Sequence, residues 1–267
     1  MPDVAAEVPP AGQPDEPMRA MSFLEHLEEL RKRIIWSLVA VTVGFLACWK
    51  YADRIYDYMQ RPIMDALHRN GMAEKLVYLN PTEPFNLYLK VAFLAGLFVT
   101  SPFVLYQVWL FISPGLYRHE KRYVFPFMFS TVALFLSGGL FGYKMVYPAA
   151  LNFLIDYGKQ FQPMITIGEY TDLFLTIIIG MGLIFELPIL VFFLSLMGII
   201  SAGWMWRNVR YSILVIFIIA AVVTPTTDIL NMCLFAAPMV GLYVISIGIA
   251  WIVHPAQRRA RQARKEQ

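Results

Sequence analysis

Four acidic residues stand where a carboxylate could do more than solvate a surface. Glu29 lies in the run Ser22-Phe23-Leu24-Glu25-His26-Leu27-Glu28-Glu29-Leu30-Arg31-Lys32-Arg33. Ser22 and Glu25 have capping-box spacing, so a helix is predicted to begin there. At helical spacing Phe23, Leu27, Leu30 and Ile34 share one face, and Glu25, Glu28, Glu29 and Lys32 face away from it. This pattern predicts an amphipathic helix on the membrane surface that feeds into an apolar span. Glu29 either pairs with Arg33 at i, i+4, a contact worth a few tenths of a kcal/mol, or is held for a cationic ligand. Glu120 is a lone acid among Arg118, Lys121 and Arg122 in the loop that begins Ser113-Pro114-Gly115. It either balances those neighbours in water or offers a second carboxylate. Glu186 lies well inside an apolar stretch, in Phe185-Glu186-Leu187-Pro188. An ionisable group in lipid costs about 3 kcal/mol or more unless it is paired, protonated or wetted. Glu186 is therefore a functional candidate, and a protonated Glu bonded to a neighbouring helix is the plain structural alternative. Asp228, four residues after Thr224, either caps the next helix or forms a small polar site with that threonine.

Other chemistry finds no footing. There is no nucleophile elbow, no phosphate-binding glycine loop and no metal-ligand set, so neither an enzyme nor a resident cofactor is expected. His119, beside Glu120, has no second histidine at metalloprotease spacing. Cys48 and Cys233 lie in apolar stretches, without CxxC or Cys/His clustering, and read as structural thiols. A net charge of +3 implies no nucleic-acid partner, because loop cations of a membrane protein encode orientation first. A proton-coupled small-solute transporter, with Glu186 as the carrier, is the competing reading. It predicts an internal repeat and a polar midplane, and the chain shows no repeat.

The elements that must hold these residues are membrane helices. The chain is 58% hydrophobic and 15% charged, against about a quarter charged in a soluble domain. Its apolar residues fall in blocks long enough to span a bilayer as helices. Six spans are predicted, over residues 34–49, 91–112, 124–146, 173–200, 211–223 and 229–253. The fifth is short, rising about 20 Å against a hydrocarbon core of about 30 Å. It is either shielded by its neighbours or thins the bilayer beside it. The loop over residues 51–84 carries a helical stretch at 52–67, broken at Pro62, with Tyr51, Tyr56 and Tyr58 suited to a membrane interface. Lys and Arg are distributed about fourteen to seven in favour of the N-terminal side, which places both termini in the cytoplasm. Residues 1–21, rich in Pro, Ala, Asp and Glu, are expected to be disordered and lack the pattern of a cleavable signal. Residues 22–253 form the membrane domain, and 254–267 a basic cytoplasmic tail.

The same candidate residues carry a resemblance. The run His26 to Arg33 resembles "HLxELRxR", which opens the TatC family, the multispanning receptors of the twin-arginine protein translocase. Tyr106-Gln107-Val108-Trp109, Phe111, Pro114, Leu116-Tyr117 and His119-Glu120 resemble the family's "YQxWxFxxPxLYxxE". Phe185-Glu186-Leu187-Pro188 resembles its "FExP". Thr224-Pro225 with Asp228 resembles its last outside loop, Pro238 a proline of its sixth helix, and Pro62 a proline of its first outside loop. The resemblance implies an all-α integral membrane protein, with six transmembrane helices in a concave cup-like arrangement and both termini cytoplasmic. Its place would be the bacterial cytoplasmic (inner) membrane. It implies recognition of twin-arginine signal peptides on folded cargo, and export driven by the proton-motive force without a cofactor. The implied partners are those peptides, single-span TatA- and TatB-like subunits, further copies of the chain and the lipid bilayer.

Carried over residue by residue, Glu29 and Glu120 would contact the two arginines. His26, Leu27, Leu30, Arg31, Arg33, Phe111 and His119 would complete that site. Glu186 would be the intramembrane acid, and Thr224, Asp228 and Met232 the partner contact. Met232 stands where the family often has glutamine, and Ala221 thins the same polar cluster. Arginine forks suit carboxylates, and two adjacent arginines on an extended peptide point in different directions. Two acids on separate elements fit such a ligand.

Overall fold

Backbone groups in lipid must satisfy one another, and a helix does so within a single segment. The computed structural model describes residues 23–72, 75–112, 124–158, 160–161, 164–196, 198–223 and 229–253. Among them the fold is helical throughout. The elements are α1 (Phe23–Trp49), α2 (Ala52–Met59), α3 (Arg61–Arg69), α4 (Glu83–Ile112), α5 (Val124–Phe141), α6 (Tyr147–Tyr157), α7 (Ile167–Ile184), α8 (Leu187–Leu196), α9 (Ala202–Arg207), α10 (Val209–Val223) and α11 (Ile229–Val253). The β contact among these residues is one isolated bridge between Val77 and Thr166. Five segments are long and apolar enough to cross a membrane: Leu24–Trp49, Glu83–Phe111, Met128–Tyr157, Ile167–Ser195 and Met232–Ile252. Helix α10 is apolar but has only 15 residues, a rise of about 22 Å. The segment that the sequence reading gives as a short fifth span is a short helix in the structure and is not among the five long enough to cross.

Several boundaries differ from the sequence reading, each for a local reason. The surface helix and the first span are one continuous rod, α1, because nothing between Phe23 and Trp49 interrupts the hydrogen-bond ladder. Helix α4 begins at Glu83 rather than at residue 91. The third span does not stop at residue 146. It passes through a π-helical turn, Gly142–Val146, into α6. Pro148 has no N–H to donate, and the wider π register falls on the turn just before it. The fourth span is divided at Phe185-Glu186, since Pro188 cannot donate to the carbonyl of Ile184. In the outer loop the break lies at Gln60, between α2 and α3. Pro62 therefore does not interrupt a helix. It occupies the first turn of α3, where its missing N–H costs nothing.

Helix α1 packs mainly on α4, α5 on α7, and α8 and α10 on α11. The main core lies where α3, α6 and α7 meet, with Ile63, Leu67, Tyr147, Tyr170, Phe174, Ile177 and Met181 buried together. Two tyrosines tie α2 to the long helices. The Tyr170 hydroxyl donates to the Met59 carbonyl at 2.5 Å, and the Tyr143 hydroxyl to the Tyr58 carbonyl at 2.7 Å.

The α1–α4 contact rests on two glycines. A Cβ on Gly96 would lie 2.5 Å from the Phe45 amide nitrogen and 2.8 Å from the Gly44 carbonyl carbon. A Cβ on Gly44 would lie 2.9 Å from the Gly96 oxygen. Small residues at such a crossing let two membrane helices approach backbone to backbone. Gly96→Ala is expected to destabilise the protein by about 1–3 kcal/mol through overpacking. Gly241→Ala, where a Cβ meets nothing within 4 Å, should be near neutral. Thermal unfolding of the two variants in detergent checks this, and equal melting temperatures would refute it.

Candidate functional site

The glycine crossing sets the register of everything N-terminal to it. Helices α1 and α4 run antiparallel, and their contacts pair in reverse order. Trp49 meets Phe85, Gly44 meets Gly96, Arg33 meets Gln107, and His26 meets Phe111. Arg33 donates from Nη2 to Glu29 Oε1 at 3.0 Å and from Nη1 to Gln107 Oε1 at 3.2 Å. About two turns before Arg33, toward the N-terminus, the His26 ring stacks on Phe111, with centroids 4.4 Å apart and planes at 23°. Gln107 is buried, and the Glu29 and Arg33 side chains are only 18% and 23% exposed. This exposure matters, because the pair is shielded enough for an unmet acceptor to count. Glu29 Oε2 and Arg33 Nε are both buried and have no hydrogen-bond partner among the described residues. A buried unsatisfied polar group costs about 1–3 kcal/mol, and more when it is charged. The site thus holds a carboxylate with one oxygen fixed and the other unsatisfied, beside an aromatic stack.

This arrangement corrects the sequence reading of α1. Glu25, Glu28 and Lys32 are exposed as expected, but Glu29 turns toward α4 with His26, Leu30 and Arg33. Leu27 and Ile34, on the predicted apolar face, point away from the protein and are exposed. The rule that apolar side chains face the core holds in water. A helix entering lipid can leave its apolar side outward and pack its polar side on a partner such as Gln107. The i, i+4 pairing of Glu29 with Arg33 is present and uses only one carboxylate oxygen.

Arg31 is exposed. Glu120, His119, Thr224 and Asp228 lie outside the described residues, as does the proposed cap Ser22. Met232 is partly buried against the main core. Pro62 sits in α3, at the opposite end of α1 from Glu29. Glu186 belongs to another neighbourhood, the break between α7 and α8. Its amide donates to the Leu183 carbonyl at 3.1 Å and its own carbonyl accepts from Leu190 at 2.9 Å. Its Oε1 is buried without a partner among the described residues. Sequence reasoning gave Gln107 no role. A single amide in an otherwise apolar span was the available signal.

The sequence from residue 25 to 238 matches the family model for the Sec-independent protein translocase protein TatC. The chain belongs to the TatC family. The Sec-independent protein translocase protein TatC of Koribacter versatilis (strain Ellin345) is 71% identical over 94% of this chain and 93% of its own. The TatC protein of Carboxydothermus hydrogenoformans is 37% identical, over 90% and 96%. The crystal structure of the twin-arginine translocase receptor TatC superposes with a TM-score of 0.76 at 33% identity, covering 85% of this chain and 98% of that one. The TatC assignment makes this chain a component of protein translocation and gives no support to small-solute transport.

The His26–Phe111 stack joins the start of α1 to the end of α4. A double-mutant cycle with His26→Ala and Phe111→Ala should show a coupling of about 0.5–1.5 kcal/mol in thermal unfolding. Strict additivity would mean that the rings touch without stabilising the seam.

Proposed function

We propose that this chain is the receptor of a twin-arginine translocase, and that Glu29 receives one arginine of the signal peptide. The observation that carries the reading is the buried Oε2 of Glu29, which has no partner among the described residues. An incoming guanidinium would satisfy that oxygen while Oε1 stays on Arg33. Charge-assisted hydrogen bonds of this kind contribute about 1.5–3 kcal/mol. Glu120 would take the second arginine, with His119 beside it. His26, Leu27, Leu30, Phe111, Arg31 and Arg33 would complete the site, the two arginines disfavouring positive charge elsewhere on the ligand.

In this reading the chain crosses the bacterial cytoplasmic membrane six times, with α10 as the short fifth span and both termini inside. The helices form a concave wall, the chain catalyses no reaction on its cargo, and transport draws on the proton-motive force. Single-span TatA- and TatB-like subunits would meet it near Thr224, Asp228 and Met232, and further copies of the chain would join the complex. Glu186, at a break in a spanning helix, would keep a groove hydrated for the apolar part of the signal peptide or for a partner helix.

Photocrosslinking from a probe beside the arginine pair of a synthetic signal peptide tests the receptor role. Labelling near Glu29 and Glu120 is expected, with roughly tenfold or greater loss on Glu29→Ala, on Glu120→Ala or with a Lys-Lys peptide. Equal labelling by both peptides, or unchanged labelling of both variants, would overturn it. For Glu186, transport and complex assembly should fall in Glu186→Leu while the chain still inserts. Unaffected transport would remove Glu186 from the mechanism.

A further inference from the structure

At the end of the molecule away from Glu29, two cavities share a wall. The first, of about 410 Å³, lies between α3 and the π turn with the start of α6. It is lined by Arg61, Arg69 and Lys144, with Asp65, Asn152 and Tyr143. Three cations thus face one carboxylate. None of the three forms an ion pair among the described residues. The Arg61 guanidinium lies over the Tyr58 ring, 4.1 Å from its centroid. That contact occupies its face and leaves its N–H edge free for a ligand. The second cavity, of about 310 Å³, is a groove between α4, α5 and α7. It is lined by Leu94, Ala95, Phe98, Leu136 and Leu140, and again by Tyr143. Its walls are almost wholly apolar, so it offers nothing to a soluble anion.

The depth of the pair follows from helix length. Met128–Tyr157 has 30 residues, and about 20 residues of helix cross the hydrocarbon core. Counted from Val124, where α5 begins, the far boundary falls near residue 144, so Lys144 and the cations of α3 beside it stand at headgroup level. Tyr58 and Tyr143 occupy the same level, as interfacial tyrosines do. The apolar groove continues from there toward the midplane.

From this geometry we infer a site for an anionic phospholipid in the leaflet opposite the N-terminus. Its phosphate is held by Arg61, Arg69 and Lys144, and one acyl chain lies along the α4–α5 groove below Tyr143. Charge selects the headgroup, since cations at a membrane surface favour anionic over zwitterionic lipid. The groove selects a lipid over a free phosphate.

Native mass spectrometry of the full chain in detergent tests the site, with phosphatidylglycerol and phosphatidylcholine of identical acyl chains as probes. The wild type is expected to retain phosphatidylglycerol roughly tenfold better, and the triple variant Arg61→Gln/Arg69→Gln/Lys144→Gln about equally with phosphatidylcholine. A control triple, Lys50→Gln/Arg54→Gln/Lys75→Gln, removes the same charge from the same face outside the cavity and should keep the preference. Ala95→Phe, which fills the groove, should reduce retention of phosphatidylglycerol several-fold. Millimolar inorganic phosphate should not displace the lipid. Equal retention by the wild type, loss of preference in the control triple, no effect of Ala95→Phe, or displacement by phosphate would each overturn the assignment.

Discussion

Backbone contact between α1 and α4 at Gly44 and Gly96 governs the placement of the polar residues on α1. With no Cβ on either side, the helices come close enough for their register to be fixed by packing. Antiparallel pairing then carries that register three turns to Arg33 and Gln107, and two turns further to His26 and Phe111. Arg33 is held by two acceptors and in turn holds one oxygen of Glu29. The carboxylate that could meet a ligand is positioned by a helix crossing far along the same rod. A site on rigid helices keeps its geometry better than one on loops.

Proline sets the second level of organisation. Pro148 and Pro188 each lack the N–H that a regular helix needs, and each lies beside a departure from α geometry. At the first, the π turn keeps the chain helical through to Tyr157. At the second, the helix breaks and Glu186 occupies the gap. An acid at such a break lies among backbone groups that have lost their regular partners. This is where a membrane protein can tolerate polarity inside an apolar span.

At the far end, α2 and α3 are fastened by Tyr143 and Tyr170, which donate to carbonyls of Tyr58 and Met59. These bonds join a peripheral helix pair to the buried aromatic core around Tyr147 and Phe174. The cations of α3 line the same cavity as Lys144. Tyr143 serves both ends, anchoring α2 and dividing a basic cavity from an apolar one.

Much of this protein was legible in its residues. Long apolar blocks leave helix as the only spanning structure, because lipid offers no partner for a free peptide group. The short fifth helix, the candidate acids, the resemblance to TatC and the possible Glu29–Arg33 pair all follow from residue types and spacing. The face that Glu29 presents did not, because periodicity cannot tell a side packed on another helix from a side packed on lipid. Nor did the break at Gln60, which depends on how α3 docks, since Pro62 is equally at home ending one helix or opening the next. The partners of Arg33, and the meeting of Arg61, Arg69 and Lys144 from distant parts of the chain, required the tertiary structure. Local spacing fixes which residues share a helix face, but only the packing of one helix on another decides what that face meets.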